Sequence, residues 1–488
     1  MATATTNQKN NFFTSSPRLE SFRYRGYFFI LMEIRDTIHG SISLESSELP
    51  VLDSRYFQRL RHIKQLGFAE NSFPSATHNR YIHSLGAMHT ATRAFDTIFG
   101  TQNGNNPSQF QHFRAAVRLA ALLHDVGHGP LSHTTEFAMP RVDELHLPQN
   151  IFPAKNRQAT HEDYTLKIIL DSSLTPLLEK AGARHGFKPH HIAALIEPEV
   201  HLDDPFFKQN HQGEVTDFRP LLHQLISSEL DADRMDYLRR DSLHAGVSYG
   251  QFDYDWLVSN LTLHKKDQCA YLSLQHRALY AFEDFLISRY HMFLMVYFHY
   301  KSVVFDEMLG QYLTDPECDY HLPADIEQYC DYNDAHLWAH LAKSKNSWAK
   351  GISDKRPYRM LIELHSGIPA TKTATQDQEK ILARLQKELK QKEVHYLLKT
   401  STSELSKYFR KKSDPIFVRY DNHYNAVNTI PIEQCTDLFQ RYSQKRSITR
   451  LYVSPENYSI LRAQGRDLPL RYEEEEQAVL PLVNDDLA

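Results

Sequence analysis

Four short stretches of this chain carry the residue types that hold a metal ion and move protons. They are His83-Ser84-Leu85-Gly86, the run Ala121-Leu122-Leu123-His124-Asp125-Val126-Gly127-His128-Gly129-Pro130-Leu131-Ser132-His133, the pair His161-Glu162, and Leu230-Asp231-Ala232-Asp233-Arg234-Met235-Asp236-Tyr237. The last continues to Arg239-Arg240-Asp241. Histidine is the commonest nitrogen ligand and the usual acid or base at neutral pH, and the chain contains 28 of them. In the second stretch an apolar helix (Val117, Leu119, Ala120, Leu122, Leu123) delivers an imidazole and a carboxylate side by side. Burying both is costly unless they are satisfied, and one metal ion satisfies both. A distant His and a distant Asp would complete a mixed site suited to Mn, Fe, Mg, Zn or Co. Adjacent residues on a straight helix point about 100° apart, so the pair needs the freedom of a helix end, which falls just before Gly127. A lone His-Asp pair arises readily by chance. The crowding of His128 and His133 into a glycine-permitted turn argues for catalysis here.

Helices must position these groups. Apolar spacing predicts an amphipathic helix over 53–66, another over 78–99, and a third over 113–126 closed by Gly127. Further helices are expected at 161–172, 219–242, 254–264 and 276–310, which makes 32–310 a nearly all-helical block. The aromatic-rich 280–309 segment reads as core or subunit packing. Residues 322–410 also read as helical. Beyond them, alternation and β-branching predict strands over 415–420 and 448–453 with a helix-like 432–444 between. The expected fold is therefore mainly α: a helical core followed by a C-terminal mixed helical and α+β accessory region over 322–472. Residues 1–31, rich in Asn, Ser and Thr, are expected to be a disordered leader, or to lie upstream of a natural start at Met32. The end, 473–488, opens on an acidic run and is expected to be a solvated tail.

With 488 residues, a formal charge of −5 and 24% charged residues, the chain as a whole is no nucleic-acid-binding polycation. Any phosphate site must be a local concentration of basic groups. The compact run Arg410-Lys411-Lys412 reads as solvated surface. Cys269, Cys318, Cys330 and Cys435 form no short metal-type pair and read as free thiols of a reducing compartment. No apolar run approaches the roughly 18 residues needed to span a bilayer. Residues 27–32 are apolar but brief, with no small-residue cleavage site after them. A cytoplasmic location without membrane association is expected.

Longer motifs make a resemblance specific. Asp36-Thr37-Ile38-His39-Gly40, Phe57-Gln58-Arg59-Leu60-Arg61-His62-Ile63-Lys64-Gln65-Leu66-Gly67, His78-Asn79-Arg80-Tyr81-Ile82-His83-Ser84-Leu85-Gly86, the His124 run and Asp231–Tyr237 follow one another over 32–310. In that order the chain resembles the HD-domain deoxynucleoside triphosphate triphosphohydrolases, above all compact bacterial members. The resemblance implies divalent-metal ligation by His83, His124, Asp125 and Asp233. It implies acid/base roles for His128, Glu136 and His161, with Glu136 standing where the family often has Asp, and it places His133 beside the phosphates. Arg80 and Arg234 match triphosphate-contacting positions, Tyr237 and Asp241 match groups around the sugar ring, and Gln65 matches a neighbour of its 3′ side. The implied reaction is attack on the α-phosphorus, releasing a deoxynucleoside and inorganic triphosphate.

Asp53, Gln58 and Arg61 resemble the family's guanine-nucleotide activator site, and the resemblance implies a homo-oligomer, a dimer or tetramer. Spacing alone does not place these three on one stripe of a helix. Two other readings share the metal set. One is an HD nucleotidase or phosphodiesterase acting on monophosphates, cyclic nucleotides or single-stranded nucleic acid, which should not need Arg80, Arg234, Tyr237 and Asp241 together. The other is a nucleotide-sensing or nucleic-acid-binding protein with an inert site, against which the intact ligand set argues.

Overall fold

The computed structural model describes residues 32–100, 107–148, 152, 156–366, 372–403, 414–422, 424, 426–441 and 445–463, together with paired strands at 21–24 and 27–30. Strands β1 (Ser21–Tyr24) and β2 (Tyr27–Ile30) pair antiparallel inside the segment expected to lack order; their aromatic residues favour strands. The remainder of that leader, the acidic tail over 473–488 and Arg410–Lys412 lie outside the described residues.

Three helices carry the functional stretches. The first, Arg80–Phe99, is capped by Asn79, whose side chain accepts the Ile82 N–H. It is buried along nearly its whole length, because the Gln111–Leu123 helix packs on it on one side and the Ala232–Ala245 helix on another. The second helix stops at Leu123, earlier than its apolar run predicts, and passes into a turn in which Val126 N–H donates to Leu123 and His128 N–H to Asp125. Gly127 is required there: a Cβ would stand 2.1 Å from the His161 carbonyl oxygen and 2.3 Å from Thr165 N. The third helix begins at the Asp231 side chain, which accepts the N–H groups of Ser228 and Arg234, and ends at Gly246 with φ +69.

Several elements differ from the reading of the sequence, each for a local reason. The 53–66 helix is the short Arg55–Arg59 helix and a 3₁₀ turn, Leu60–His62. The 219–242 helix is two, Arg219–Gln224 and Ala232–Ala245, since the Asp231 side chain competes for the backbone donors between them. The expected 254–264 helix ends at Ser259. Its remainder forms β7 (Leu261–Lys266), hairpinned to β8 (Cys269–Gln275) through Asp267 and Gln268, both at positive φ.

The N-terminal block also holds the hairpins β3 (Met32–Asp36) with β4 (Gly40–Leu44) and β5 (Lys208–His211) with β6 (Glu214–Asp217). Strand β11 (Phe417–Tyr420), paired to β12 (Asn428–Pro431), runs parallel to β8. The strand expected of the accessory region therefore extends a sheet of the N-terminal block. Strands β9 (Arg359–Ser366) and β10 (Tyr396–Ser403) occupy part of the stretch read as helical. They flank β13 (Arg446–Val453) in a three-stranded antiparallel sheet. One face buries Leu361, Leu451 and Val453 against Leu385 and Leu389 of the Lys372–Gln391 helix, while Leu397 and Tyr452 join the main core.

Candidate metal centre and active site

The three helices bring His83, His124, Asp125 and Asp233 to one point. His83 Nε2 lies 3.0 Å from Asp233 Oδ1 and 3.5 Å from Asp125 Oδ2. His124 Nε2 lies 3.5 Å from Asp233 Oδ1 and 3.4 Å from Asp125 Oδ1. The outer nitrogens are engaged elsewhere: His83 Nδ1 donates to Asp236 Oδ2 at 2.8 Å and His124 Nδ1 to the Ala121 carbonyl at 2.8 Å. With the ring proton on Nδ1, each Nε2 turns a lone pair inward, and both Nε2 atoms are buried without a hydrogen-bond partner. Two lone pairs facing two carboxylates repel unless a cation stands between them. Burial opposes charge on His83, yet Asp233 and Asp236 push its pKa up to about 10, so the pocket strongly favours positive charge. These donors fit a divalent ion with an open coordination position.

Beside this set stand the groups suited to proton transfer. The His128 ring stacks on His161 with centroids 3.8 Å apart. Burial, with the Arg80 guanidinium and His161 nearby, holds His128 well below its ordinary range. Glu136 accepts from His161 Nδ1 at 2.5 Å and from His133 Nδ1 at 3.2 Å. Burial opposes its ionisation, but the two histidines keep its carboxyl well below the usual range. Glu136 is therefore an anion that orients His161, while His133 is largely exposed at the mouth.

The arginines matched to phosphate contacts are paired within the protein. Arg80 donates from Nε to Ser132 Oγ at 2.8 Å and from Nη1 to Asp125. Arg234 donates to Glu229 at 3.0 Å. Asp241 accepts from His78 Nε2 at 2.7 Å and from the Tyr297 hydroxyl at 2.8 Å, and Tyr237 lies between His83 and Tyr297. Gln65 Oε1 is buried without a partner. Asp53, Gln58 and Arg61 line a separate cleft of about 520 Å³ together with Arg35, Asp36 and Tyr81. There Arg61 donates to Gln58 at 2.8 Å and lies 3.5 Å over the Tyr81 ring.

Sequence reasoning gave no role to Asp236, Ser132, His78 or Asp334. Asp236 lies one helical turn beyond Asp233, a spacing that would have flagged it. Asp334 accepts the N–H groups of Leu131 at 2.7 Å and Lys64 at 3.0 Å, and nothing near it in sequence signals that. A further cluster, His190, His191 and Asp204, has donor atoms close enough to share an ion. However, His191 Nδ1 accepts the Lys188 N–H at 2.9 Å, so its proton sits on Nε2 and donates to Asp204 at 2.8 Å. It caps a helix.

Residues 80–241, which carry the clustered histidines and carboxylates of the three helices, match the HD domain family. The chain is similar to the human protein SAMHD1, a deoxynucleoside triphosphate triphosphohydrolase, with 29% identity over 235 residues, 45% of this chain and 34% of that one. It is 34% identical over 267 residues to YwfO of Bacillus subtilis, covering 54% of this chain and 51% of that protein. A Methanocaldococcus jannaschii protein, MJ1154, is 29% identical over 329 residues, covering 67% and 59% of the two chains. The chain thus spans about half to three fifths of the length of these two curated relatives. Among solved structures, a hypothetical protein from Aquifex aeolicus is 26% identical with a TM-score of 0.66, covering 89% of this chain and 99% of that one. A phosphohydrolase from Bacteroides thetaiotaomicron, 20% identical with a TM-score of 0.59 over 87% of this chain and 99% of that one, shares the fold.

Proposed function

We propose that this protein is a metal-dependent hydrolase of deoxynucleoside triphosphates that releases the deoxynucleoside and inorganic triphosphate. The observation carrying this reading is the convergence of two inward lone pairs and two carboxylates beside the His128–His161–Glu136 group. His83, His124, Asp125 and Asp233 hold the divalent ion, be it Mn, Mg, Fe, Zn or Co. Bound there, it supplies Lewis-acid polarisation of a phosphoryl oxygen and activation of a water.

The chain's own groups do the rest. Glu136 fixes the His161 ring through Nδ1, leaving Nε2 to hold a proton for the departing 5′ oxygen. The buried, largely neutral His128 stacks against it and keeps solvent from that face. Arg80 holds Asp125 in place and, with Arg234, offsets charge on the transferring group, while His133 meets the phosphate tail at the mouth. Asp241, fixed by His78 and Tyr297, and the Tyr237 ring close on the sugar, with Gln65 offering its free amide oxygen to a 3′ hydroxyl. A pocket closed around C2′ in this way disfavours a ribose hydroxyl. Among the described residues no helix is long and apolar enough to cross a membrane.

The cleft of Asp53, Gln58 and Arg61 is the proposed seat of a guanine nucleotide activator, with a base stacking where Arg61 covers Tyr81, and we propose a homo-oligomeric assembly. The test is incubation with Mn²⁺ and each of the four deoxynucleoside triphosphates, singly and mixed, with His124→Ala as control. Triphosphate and deoxynucleoside released by the wild type alone support the reading, and activity only in mixtures supports the activator cleft. Release of pyrophosphate or phosphate only, or turnover of monophosphates alone, sinks it in favour of the nucleotidase reading.

A further inference from the structure

The Asp36-Thr37-Ile38-His39-Gly40 turn and Arg240 take no part in the chemistry just described, yet they converge behind the metal centre. Asp236 lies among four donors. Its Oδ2 accepts from His83 Nδ1 at 2.8 Å and from Arg240 Nε at 2.9 Å, and its Oδ1 accepts from His39 Nε2 at 2.6 Å and from Arg240 Nη2 at 2.9 Å. A carboxylate offers about four acceptor sites, so Asp236 is saturated. Arg240 then reaches across to a second carboxylate, donating from Nη1 to Asp36 Oδ2 at 2.8 Å. The Asp236 and Arg240 side chains are fully buried. Asp36 in turn accepts the N–H groups of Ile38 and His39 at 2.9 Å each, so the β3–β4 turn holds both the carboxylate that grips Arg240 and the ring that grips Asp236.

Glycine at 86 completes the fit. A Cβ there would stand 1.9 Å from Asp236 Oδ1 and 2.4 Å from Arg240 Nη2. This accounts for the glycine three residues beyond His83 on the same helix: the network fills the space a side chain would need.

We infer that Asp236 is the positioning residue of the metal centre, and that Asp36, His39 and Arg240 are the frame that keeps it aimed at His83. The inference rests on the metal-centre reading above. Asp236 forces the His83 proton onto Nδ1 and so presents Nε2 to the ion. Two carboxylates and one guanidinium leave a net negative charge behind the imidazole, which strengthens it as a ligand, as outer-shell carboxylates do at other metal-bound histidines. Asp36 also lines the cleft that holds Asp53, Gln58 and Arg61. That cleft and the metal ligand His83 are therefore joined through two side chains, Arg240 and Asp236.

Asp236→Asn places an amide NH₂ against two of the four donors whichever way it turns. It therefore loses either the His83 tautomer or the Arg240 and His39 contacts. The experiment is Mn²⁺ titration of the purified full chain, followed by electron paramagnetic resonance and paired with thermal melting of the same apoprotein. Wild type, Asp236→Asn, Asp36→Asn and Gly86→Ala are compared. The expected result is a 10- to 100-fold weaker Mn²⁺ affinity in Asp236→Asn, a smaller loss of the same sign in Asp36→Asn, and an altered Mn²⁺ spectrum in both. Where a variant proves too unstable to purify, Arg240→Lys takes its place, keeping the charge while losing the fork, and the same direction is expected. Lowered melting with wild-type Mn²⁺ affinity and spectrum in the folded variants would show a merely structural role and overturn the inference. Failure of the wild type itself to bind Mn²⁺ would instead overturn the metal-centre reading.

Discussion

Glu136 accepts from two histidines through a single oxygen, and in the proposed reaction the shorter of the two contacts orients His161 toward the leaving group. Glu136→Gln would keep the shape but lose the charge that organises both rings. We expect turnover to fall by about 10²- to 10⁴-fold, the usual worth of a positioned acid or base. Mn²⁺ affinity should stay unchanged, since Glu136 contacts none of the four metal-facing residues. Rapid-quench measurement of the chemical step decides it, and a wild-type rate would remove Glu136 from the mechanism. At this scale the candidate donors could be picked out in sequence: His124 and Asp125 are adjacent, and the family resemblance pointed to His83 and Asp233. The groups that hold the donors could not. Asp241 is fixed by His78 from 163 residues away and by Tyr297 from 56 residues away, and such pairing is set by tertiary packing rather than by local pattern. Arg80 and Arg234 were matched to triphosphate-contacting positions, and the pattern gave no sign that each is also ion-paired within the protein, to Asp125 and Glu229, as a guanidinium withdrawn from water requires.

At the scale of elements, the turn that follows His128 is held from a distance. Leu131 and Ser132 both sit at positive φ, a conformation that costs a non-glycine residue of order 1–2 kcal/mol and persists only where its surroundings enforce it. Asp334, on the helix Asp334–Lys343, does so by accepting the Leu131 N–H while also clamping Lys64. Asp334→Ala strands two N–H groups, each worth about 1–3 kcal/mol when buried and unmet. The prediction is a clear loss of stability in denaturant titration and a larger loss of turnover than of substrate affinity. Unchanged kinetics in the folded variant would show that the turn holds itself. The His190–His191–Asp204 cap gives a pH test. Burial is the main force on the His191 pKa, partly offset by Asp204, and carries it down to about 4 from its ordinary 6.5. The unfolded state thus binds the more protons, and stability falls as pH drops from 6.5 through 4. Asp204, held to about 2 chiefly against burial by the Phe206 N–H and the two histidines, adds its own loss only below its ordinary 3.8. Melting temperature against pH should slope less in His191→Gln than in the wild type between pH 6.5 and 4, and equal slopes would refute the cap. Helix existence was readable from apolar spacing. Helix ends were not, because Asp231 takes backbone donors on either side of it away from a continuous helix, and the turn at Gly127 is set by the close approach of His161 and Thr165 from another helix.

For the whole molecule, the division into a helical core and an accessory region does not describe how the parts depend on one another. Strand β11 runs parallel to β8 of the N-terminal block. The Asp334 clamp on the turn after His128 comes from beyond residue 322, and Arg450 of β13 donates to the Phe298 carbonyl at 2.7 Å. The sequence suggested two bodies because alternating patterns cluster near the C-terminus, but alternation says nothing about which sheet a strand joins. Metal binding should therefore stabilise the chain as a unit. A ligand bound only by the folded state adds about 2.7 kcal/mol at a concentration 100-fold above its Kd, enough to raise the melting temperature by about 2–3 degrees at this size. Calorimetry with Mn²⁺ should show one transition moving upward as a whole, chelation should reverse it, and His124→Ala should abolish the shift. Two transitions of which only one responds to Mn²⁺ would show that the C-terminal region folds apart from the site, and the Asp334 clamp would then have to form after both halves are folded.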